Sequence, residues 1–178
     1  MNNLEMNKTQ ETIYSSNNPL KYWLYVLKHS LDFKTRSPRK EFWMFYLGNI
    51  IVFIILISLL TLVLYIFKVT DYTQLVAIYS TFVIVWRIVL LLPALSLQTR
   101  RFHDLNKSGF YTILFFVCNF LFGYLSNFFE HISEKSSEFG IVAAIFIICF
   151  LVDIWLFVLL GFIKGSSQEN KYGSNPIA

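Results

Sequence analysis

The sequence predicts an all-α membrane protein in which four transmembrane helices follow a short amphipathic interfacial helix. Three observations lead to this fold class: the chain has four long apolar runs, 56% of its residues are hydrophobic with 19 phenylalanines among them, and its basic residues cluster at the ends of the runs. A soluble domain of 178 residues could not bury so much aromatic surface, so lipid must solvate part of the chain.

Each apolar run meets the requirement of roughly 20 residues for a helix that crosses a bilayer. The first run would be about 39 Å long as a helix, longer than the ~30 Å hydrocarbon core, so we expect it to tilt or to project from the membrane. The short connections after the first and third runs predict antiparallel neighbours. The predicted spans are residues 42–67, 75–97, 110–129 and 139–163.

The residues before the first span divide into two parts. Residues 1–18 are rich in Asn, Thr and Ser, and we predict a disordered polar tail there, followed by a single membrane domain of residues 19–177. Residues 19–33 place four leucines and a tryptophan on one helical face, with the lysines largely elsewhere. A basic amphipathic helix of this length either lies in the headgroup layer or packs as a cap against the bundle.

The distribution of charge predicts the orientation of the chain. Twelve of the fifteen Lys and Arg residues lie before the first span, between the second and third, or after the fourth. The positive-inside rule therefore places both termini and residues 100–109 in the cytoplasm. Because the basic residues lie at the ends of apolar runs rather than on one soluble face, the net charge of +4 does not indicate a nucleic-acid partner.

Three sequence motifs lie on the predicted cytoplasmic side. The first contains Arg36, Arg39 and Lys40 and continues into Glu41-Phe42-Trp43. The second runs from Pro93 through Arg100-Arg101-Phe102-His103-Asp104 to Lys107-Ser108-Gly109-Phe110. The third is Asn170-Lys171-Tyr172-Gly173-Ser174-Asn175-Pro176.

In this order, the three motifs resemble those of the bacterial membrane family of unknown function number 805, often labelled YhaH-like. The resemblance covers about residues 20–177 and implies a protein of the bacterial cytoplasmic membrane with about four helices and no assigned activity. One departure is visible, because Asn106-Lys107 stands where members usually carry Thr-Gly or a similar small pair.

The Arg-Arg-x-His-Asp segment, which we expect to be a loop, has three interpretations. It could be structural, with arginines that neutralise helix-end carbonyl groups and with His103 and Asp104 capping the next helix. It could bind an anionic headgroup or a phosphorylated ligand at the positive end of the third helix. It could also hold an acid/base pair of His103 and Asp104, although no nucleophile or metal partner accompanies them. The candidate ligand-binding residues are Arg36, Arg39, Lys40, Arg100, Arg101, Lys107 and Ser108.

Under the predicted topology the three motifs meet on one side of the membrane, so we predict that they form a compact cytoplasmic cap. Residues 100–104 should contact residues 36–43 or the segment 170–176, which we expect to fold back. The other candidate members of the cap are Glu41, Trp43, His103, Asp104, Asn170, Gly173 and Pro176.

Two ionisable residues lie within predicted spans. Arg87 precedes Leu97 by ten residues and Asp153 precedes Ile163 by ten, so both lie about 15 Å from the cytoplasmic end of their helices. Either charge alone would be costly in hydrocarbon. Their matching depth and opposite charge predict an intramembrane ion pair, either as a structural clasp or as part of an ion or proton pathway.

The sequence indicates no standard catalytic or metal-binding arrangement. The histidines and cysteines lack metal-ligand spacing, and no nucleotide-binding or nucleophile motif is present. We therefore predict no catalytic residues, no metal and no cofactor. The leading function is a non-enzymatic membrane component that binds anionic lipid headgroups or membrane partners, including a second copy, through the basic cap. The alternatives are a small transporter or channel-like subunit and a membrane enzyme.

Overall fold

The computed structural model describes residues 13–129 and 137–176, without the side chains of residues 119, 122–129, 137 and 138. The predicted disordered tail therefore lies mostly outside the described residues. The described chain is helical, and its five helices are α1 (Pro19–Lys28), α2 (Arg39–Ile66), α3 (Tyr72–Asp104), α4 (Phe110–Phe129) and α5 (Ser137–Phe162). Three helical segments are long and apolar enough to cross a membrane: Arg39–Ile66, Tyr72–Asp104 and Phe139–Phe162.

The helix α3 is longer than the predicted second span and includes the segment that we expected to be a loop. It passes through Pro93 and continues to Asp104. A proline inside a helix removes one backbone hydrogen bond, which membrane helices tolerate when neighbouring groups compensate. The expectation of a loop at residues 99–104 was wrong. These residues are helical and buried, and polar side chains do not end a helix when other parts of the protein provide their hydrogen-bond partners.

The helix α3 is followed by a residue in the left-handed backbone region. At the end of α3, Asn106 has φ +56. The N–H of Lys107 donates to the Phe102 carbonyl at 2.9 Å, and the N–H of Asn106 donates to the His103 carbonyl at 3.0 Å. This is a Schellman motif, in which Asn is the usual substitute for Gly. Asn106 is therefore suited to this turn.

Contacts divide the described chain into two compact units, the first containing residues 13–33, 40–97 and 176. In this unit α1 packs against α2, because Gly48 leaves room for the Pro19 carbonyl and the Trp23 Cβ. The Trp23 ring also stacks on Trp86 of α3, with 6.3 Å between ring centroids. The Ser96 hydroxyl lies 2.9 and 2.6 Å from the carbonyl oxygens of residues 29 and 32, which share its one proton.

The packing of α1 favours the second of its two predicted positions. Its buried face consists of Tyr22, Tyr25 and Val26, whereas Leu24 on the predicted leucine face is 51% exposed. α1 therefore packs within its unit through its tyrosine face and through Trp23, while Leu24 stays exposed. Contact of those leucines with the headgroup layer stays a prediction.

Exposure along α2 and α3 marks a band that fits lipid. Between residues 49 and 67 the buried residue is Leu64, and between residues 72 and 92 it is Leu90. These stretches are about 29 and 32 Å long as helices, close to the ~30 Å hydrocarbon core. Burial becomes frequent at the start of α2 and from Pro93 onward in α3. The excess length of the first apolar run therefore projects out of this band.

The second unit contains residues 34–39 and 98–175. Its two long helices, α4 and α5, pack against each other. The last turns of α3 and the segment that follows α5 complete this unit, and they bring together most of the polar motif residues.

Candidate functional site: a buried arginine cap

A buried carboxylate links two arginines from distant parts of the chain. Asp104, at the end of α3, accepts hydrogen bonds at Oδ1 from Arg36 Nε at 3.1 Å and from Arg36 Nη2 at 2.9 Å. Its other oxygen, Oδ2, accepts a hydrogen bond from Nη1 of Arg101. The side chains of all three residues are nearly inaccessible to solvent. We call these residues, together with Arg39 and the carbonyl groups that bind them, the arginine cap.

Arg36 has a hydrogen-bond partner for each of its five N–H groups. Besides the two bonds to Asp104, Nη1 donates to the carbonyl oxygens of Gln168 and Gly173, both at 3.0 Å. Nη2 donates to the Ser166 carbonyl at 2.5 Å. Since every donor is used inside the protein, a ligand could bind this guanidinium only by displacing one of these partners.

Arg101 and Arg39 satisfy the C-terminal end of α5. Arg101 Nε donates to the Leu160 carbonyl at 2.7 Å, and its Nη2 donates to the Ile163 carbonyl. Arg39 Nη1 donates to the Phe162 carbonyl at 3.0 Å. The last carbonyl groups of a helix lack intrahelical partners and carry the negative end of its dipole, so cations are favourable there. The arginines therefore neutralise helix-end carbonyl groups of α5.

The segment after α5 folds into a turn against the end of α3. Asn170 and Gly173 exchange backbone hydrogen bonds of 3.1 and 2.9 Å, and Gly173 takes φ +117, a conformation that suits glycine. The Asn170 side chain donates to the His103 carbonyl at 3.0 Å and accepts from the Tyr172 N–H at 2.9 Å. The Tyr172 ring stacks on His103 with 3.7 Å between centroids.

His103 and Asp104 do not face each other as an acid/base pair in this arrangement. The His103 Nδ1 lies 3.4 Å from the Thr35 carbonyl, while its ring is covered by Tyr172. Both oxygens of Asp104 bind guanidinium groups, those of Arg36 and Arg101, rather than the His103 ring.

Two cap residues were not anticipated from the sequence. A Cβ atom on Gly165 would overlap the Asp104 carboxylate, so only glycine fits this close approach. The next residue, Ser166, donates its backbone N–H to the Asp104 carbonyl at 2.9 Å. The one available signal was a glycine directly after Lys164 at the end of the fourth apolar run.

The remaining candidate ligand residues of this unit differ in accessibility. Arg100 is buried, and its carbonyl accepts the Ser37 N–H at 3.1 Å. Lys107 and Ser108 are exposed, and the Lys107 ammonium group lies 5.7 Å from the Tyr111 ring centroid. At the start of α4, the Ser108 hydroxyl accepts the Phe110 N–H at 3.2 Å. The next two N–H groups bind the carbonyls of residues 108 and 109. These helix-terminal donors are therefore used locally.

Other predicted cap residues belong to the first unit. Glu41 is buried and accepts a hydrogen bond from the Tyr14 hydroxyl at 2.9 Å, while Lys40 Nζ donates to the Tyr14 carbonyl at 2.9 Å. Burial and the nearby Glu41 carboxylate raise the pKa of Tyr22 to about 12. Trp43 is partly exposed and packs on Phe42, and Pro176 belongs to the same unit.

The two residues that we predicted to form an ion pair in the membrane, Arg87 and Asp153, belong to different units of the structure. Arg87 is exposed on α3 in the first unit, and Asp153 lies on α5 in the second. Their pairing stays a prediction. Within residues 13–129 and 137–176, no group of three His, Cys, Asp or Glu side chains could hold a metal ion.

Comparison with known proteins gives matches to membrane proteins. A family model described as "Protein of unknown function (DUF805)" matches residues 30–174. "Inner membrane protein YhaI" of Escherichia coli (strain K12) is 38% identical over 98 residues, which are 55% of this chain and 73% of that protein. "Inner membrane protein YhaH" of the same strain is 35% identical over 96 residues, 54% of this chain and 73% of that protein. No solved structure matches the chain.

Proposed function

The chain belongs to the DUF805 family of membrane proteins, and on this premise we propose that it is a non-enzymatic component of the bacterial inner membrane that binds anionic lipid headgroups at its cytoplasmic face. It crosses the membrane four times, through α2, α3, α4 and α5, and keeps both termini in the cytoplasm. The binding surface consists of exposed cations that lie near the arginine-cap segments in the sequence.

The observation that carries this proposal is a separation of roles among the basic residues of the second unit. Arg36 and Arg101 are buried and bonded to protein acceptors, so they hold the fold together. Exposed cations follow or precede these cap segments by a few residues, whereas the exposed acid of the described part of the unit is Glu169. The four exposed lysines, which we call the basic rim, are Lys34, Lys107, Lys164 and Lys171.

A basic rim beside a membrane favours anionic lipid. Each Lys or Arg near an anionic membrane surface contributes about 1 kcal/mol of attraction, within roughly a Debye length of about 8 Å. Twelve of the fifteen basic residues lie on the side that the positive-inside rule assigns to the cytoplasm. The names of the two relatives support an inner-membrane location.

Lipid selection in mixed bilayers tests the proposal. The intact protein would be placed in nanodiscs of equal phosphatidylglycerol and phosphatidylcholine, and lipids retained after mild release would be counted by native mass spectrometry. We expect enrichment of phosphatidylglycerol that falls several-fold when Lys34, Lys107, Lys164 and Lys171 are all changed to Gln, because the screened attraction of each is lost. The matched control changes the same four residues to Arg and should keep the enrichment. Equal enrichment in the Gln and Arg variants would exclude lipid binding by the rim and favour a protein partner.

The orientation is tested separately by labelling from outside the cell. In a cysteine-free background, Cys at Thr73 should react with an impermeant maleimide and Cys at Ser167 should not. Reaction at Ser167 would refute the cytoplasmic position of the cap.

A further inference from the structure

One face of α3 forms an open groove with a cation at one end. The groove has a volume of about 690 Å³. The described residues that line it repeat every three or four positions, so they share one side of the helix. They are Tyr72, Leu75, Val76, Tyr79, Ser80, Val83, Ile84 and Arg87. Apart from one serine, two tyrosine hydroxyls and the terminal guanidinium, this surface is apolar.

The position of Arg87 along the helix brings its side chain within reach of a membrane surface. Arg87 precedes Pro93, where the exposed band of α3 ends, by six residues, or about 9 Å of helix. A long arginine side chain near a helix end can extend to the headgroup layer while its methylene groups stay in hydrocarbon. The neighbouring Trp86 stacks on Trp23, and tryptophans are enriched at this level of a bilayer.

The guanidinium of Arg87 is available for an external partner. It is exposed, unlike the buried guanidinium groups of Arg36 and Arg101. Among the described residues of its own unit, none forms a hydrogen bond or an ion pair with it. An arginine at this depth needs a counter-charge or hydration, and the groove that leads away from it is apolar.

We propose that this groove binds a phospholipid of the adjacent leaflet, with the lipid phosphate held by Arg87 and one acyl chain lying along the α3 face. The guanidinium fork matches two phosphate oxygens, which a compact ammonium group does not. The apolar side chains of α3 between Leu75 and Ile84 contact the acyl chain. The groove runs along the helix away from Arg87, so a lipid with its phosphate at Arg87 can place an acyl chain in it. This site differs from the basic rim in its selectivity. The basic rim attracts headgroups with net negative charge, whereas Arg87 binds the phosphate group that every phospholipid contains.

The test compares lipids with and without phosphate. Native mass spectrometry of the full chain in mild detergent would measure the apparent affinity for dioleoyl phosphatidylglycerol and for dioleoylglycerol. Arg87→Leu should weaken phosphatidylglycerol binding at this site about tenfold or more, because charge-assisted hydrogen bonds to phosphate are lost, and should leave dioleoylglycerol binding unchanged. The control is Lys28→Gln, which removes an exposed cation of α1 in the same unit and should change neither affinity.

Two results would overturn the proposal. One is wild-type phosphatidylglycerol affinity in Arg87→Leu. The other is an equal loss in Asp153→Asn with no further loss in the double variant, because that would assign Arg87 to the predicted pair with Asp153. If Arg87→Leu gives no folded protein, Arg87→Gln supplies the same comparison without placing a bulky apolar group. If only the variants of the basic rim lose phosphatidylglycerol binding, the groove does not bind this lipid, and the proposed function still stands.

Discussion

Two arginines on the same helix, fourteen residues apart in the chain, have different surroundings. Arg101 is 0% exposed and donates to the carbonyls of Leu160 and Ile163 and to the Asp104 carboxylate. Arg87 is exposed and stands at the end of an apolar groove. Both were candidates for a binding or pairing role when judged by residue type and position. The comparison teaches that the number of protein acceptors around a guanidinium distinguishes a structural cross-link from a group that can bind something else.

The largest effect should come from removing the charge that holds the cap. Asp104→Asn leaves Arg36 and Arg101 buried without their carboxylate, and breaking a buried ion pair in this way costs about 3–5 kcal/mol. We expect a strong loss of yield and a much lower Tm in thermal unfolding of the detergent-solubilised protein. Glu169→Gln, at an exposed carboxylate, is the control. Similar Tm values in the two variants would mean that the arginine cap does not stabilise the protein.

The two arginines can be compared directly by the same change. Arg101→Leu removes three hydrogen bonds and leaves the carbonyl groups of Leu160 and Ile163 without their cation, so we expect a loss of roughly 3 kcal/mol. Arg87→Leu should change the stability by less than about 0.5 kcal/mol in detergent, as surface substitutions do. Thermal unfolding of both variants gives the difference. A larger loss in Arg87→Leu than in Arg101→Leu would reverse the distinction drawn between them.

A glycine tests how tightly the cap is packed. Gly165→Ala would press a methyl group into the Asp104 carboxylate, and overpacking of this kind costs about 1–3 kcal/mol. The control is Gly140→Ala on α5, where an added Cβ meets nothing within 4 Å. We expect a lower Tm for the first variant alone. Equal Tm values would show that the Asp104 carboxylate can move aside without cost.

Among the changes within the cap, the smallest effect should come from the turn that closes it. Asn170→Ala removes one hydrogen bond to the His103 carbonyl and one from the Tyr172 N–H, which together stabilise the protein by about 1–2 kcal/mol. Limited proteolysis should then cleave near Lys171 faster than in the wild type. Ser174→Ala, at an exposed neighbouring residue, is the control. Unchanged cleavage would show that this side chain does not hold the turn.

The lengths of the apolar runs predicted the positions of the helices well, whereas the polar residues at the ends of the runs were a poor guide to where each helix ends. The predicted run 110–129 has the bounds of α4, and the run 139–163 differs from α5 by two residues at its start and one at its end. The second run, however, was ended at Leu97, whereas α3 continues to Asp104. Hydrophobicity indicates where lipid can solvate a helix, but it does not indicate the seven further residues, which are helical and buried within the protein.

The cap shows a second limit of reasoning from the sequence. The motifs containing Arg36, Asp104 and Gly173 were identified, and the structure places them in contact. The partners of the arginines were not identified, because most of them are backbone carbonyl groups, which every residue possesses. Gly165 was missed for a related reason: its role depends on the space beside Asp104, which exists only in the folded chain.

The hydrogen bonds of Arg36 also constrain the order of events during synthesis. Arg36 leaves the ribosome 130 residues before Ser166 and 137 residues before Gly173, the carbonyl groups of which it binds. Until those residues emerge, its guanidinium can bind Asp104 and water but not its final set of acceptors. A chain that stops short of residue 166 would leave three of the five N–H groups of this guanidinium without their protein acceptors.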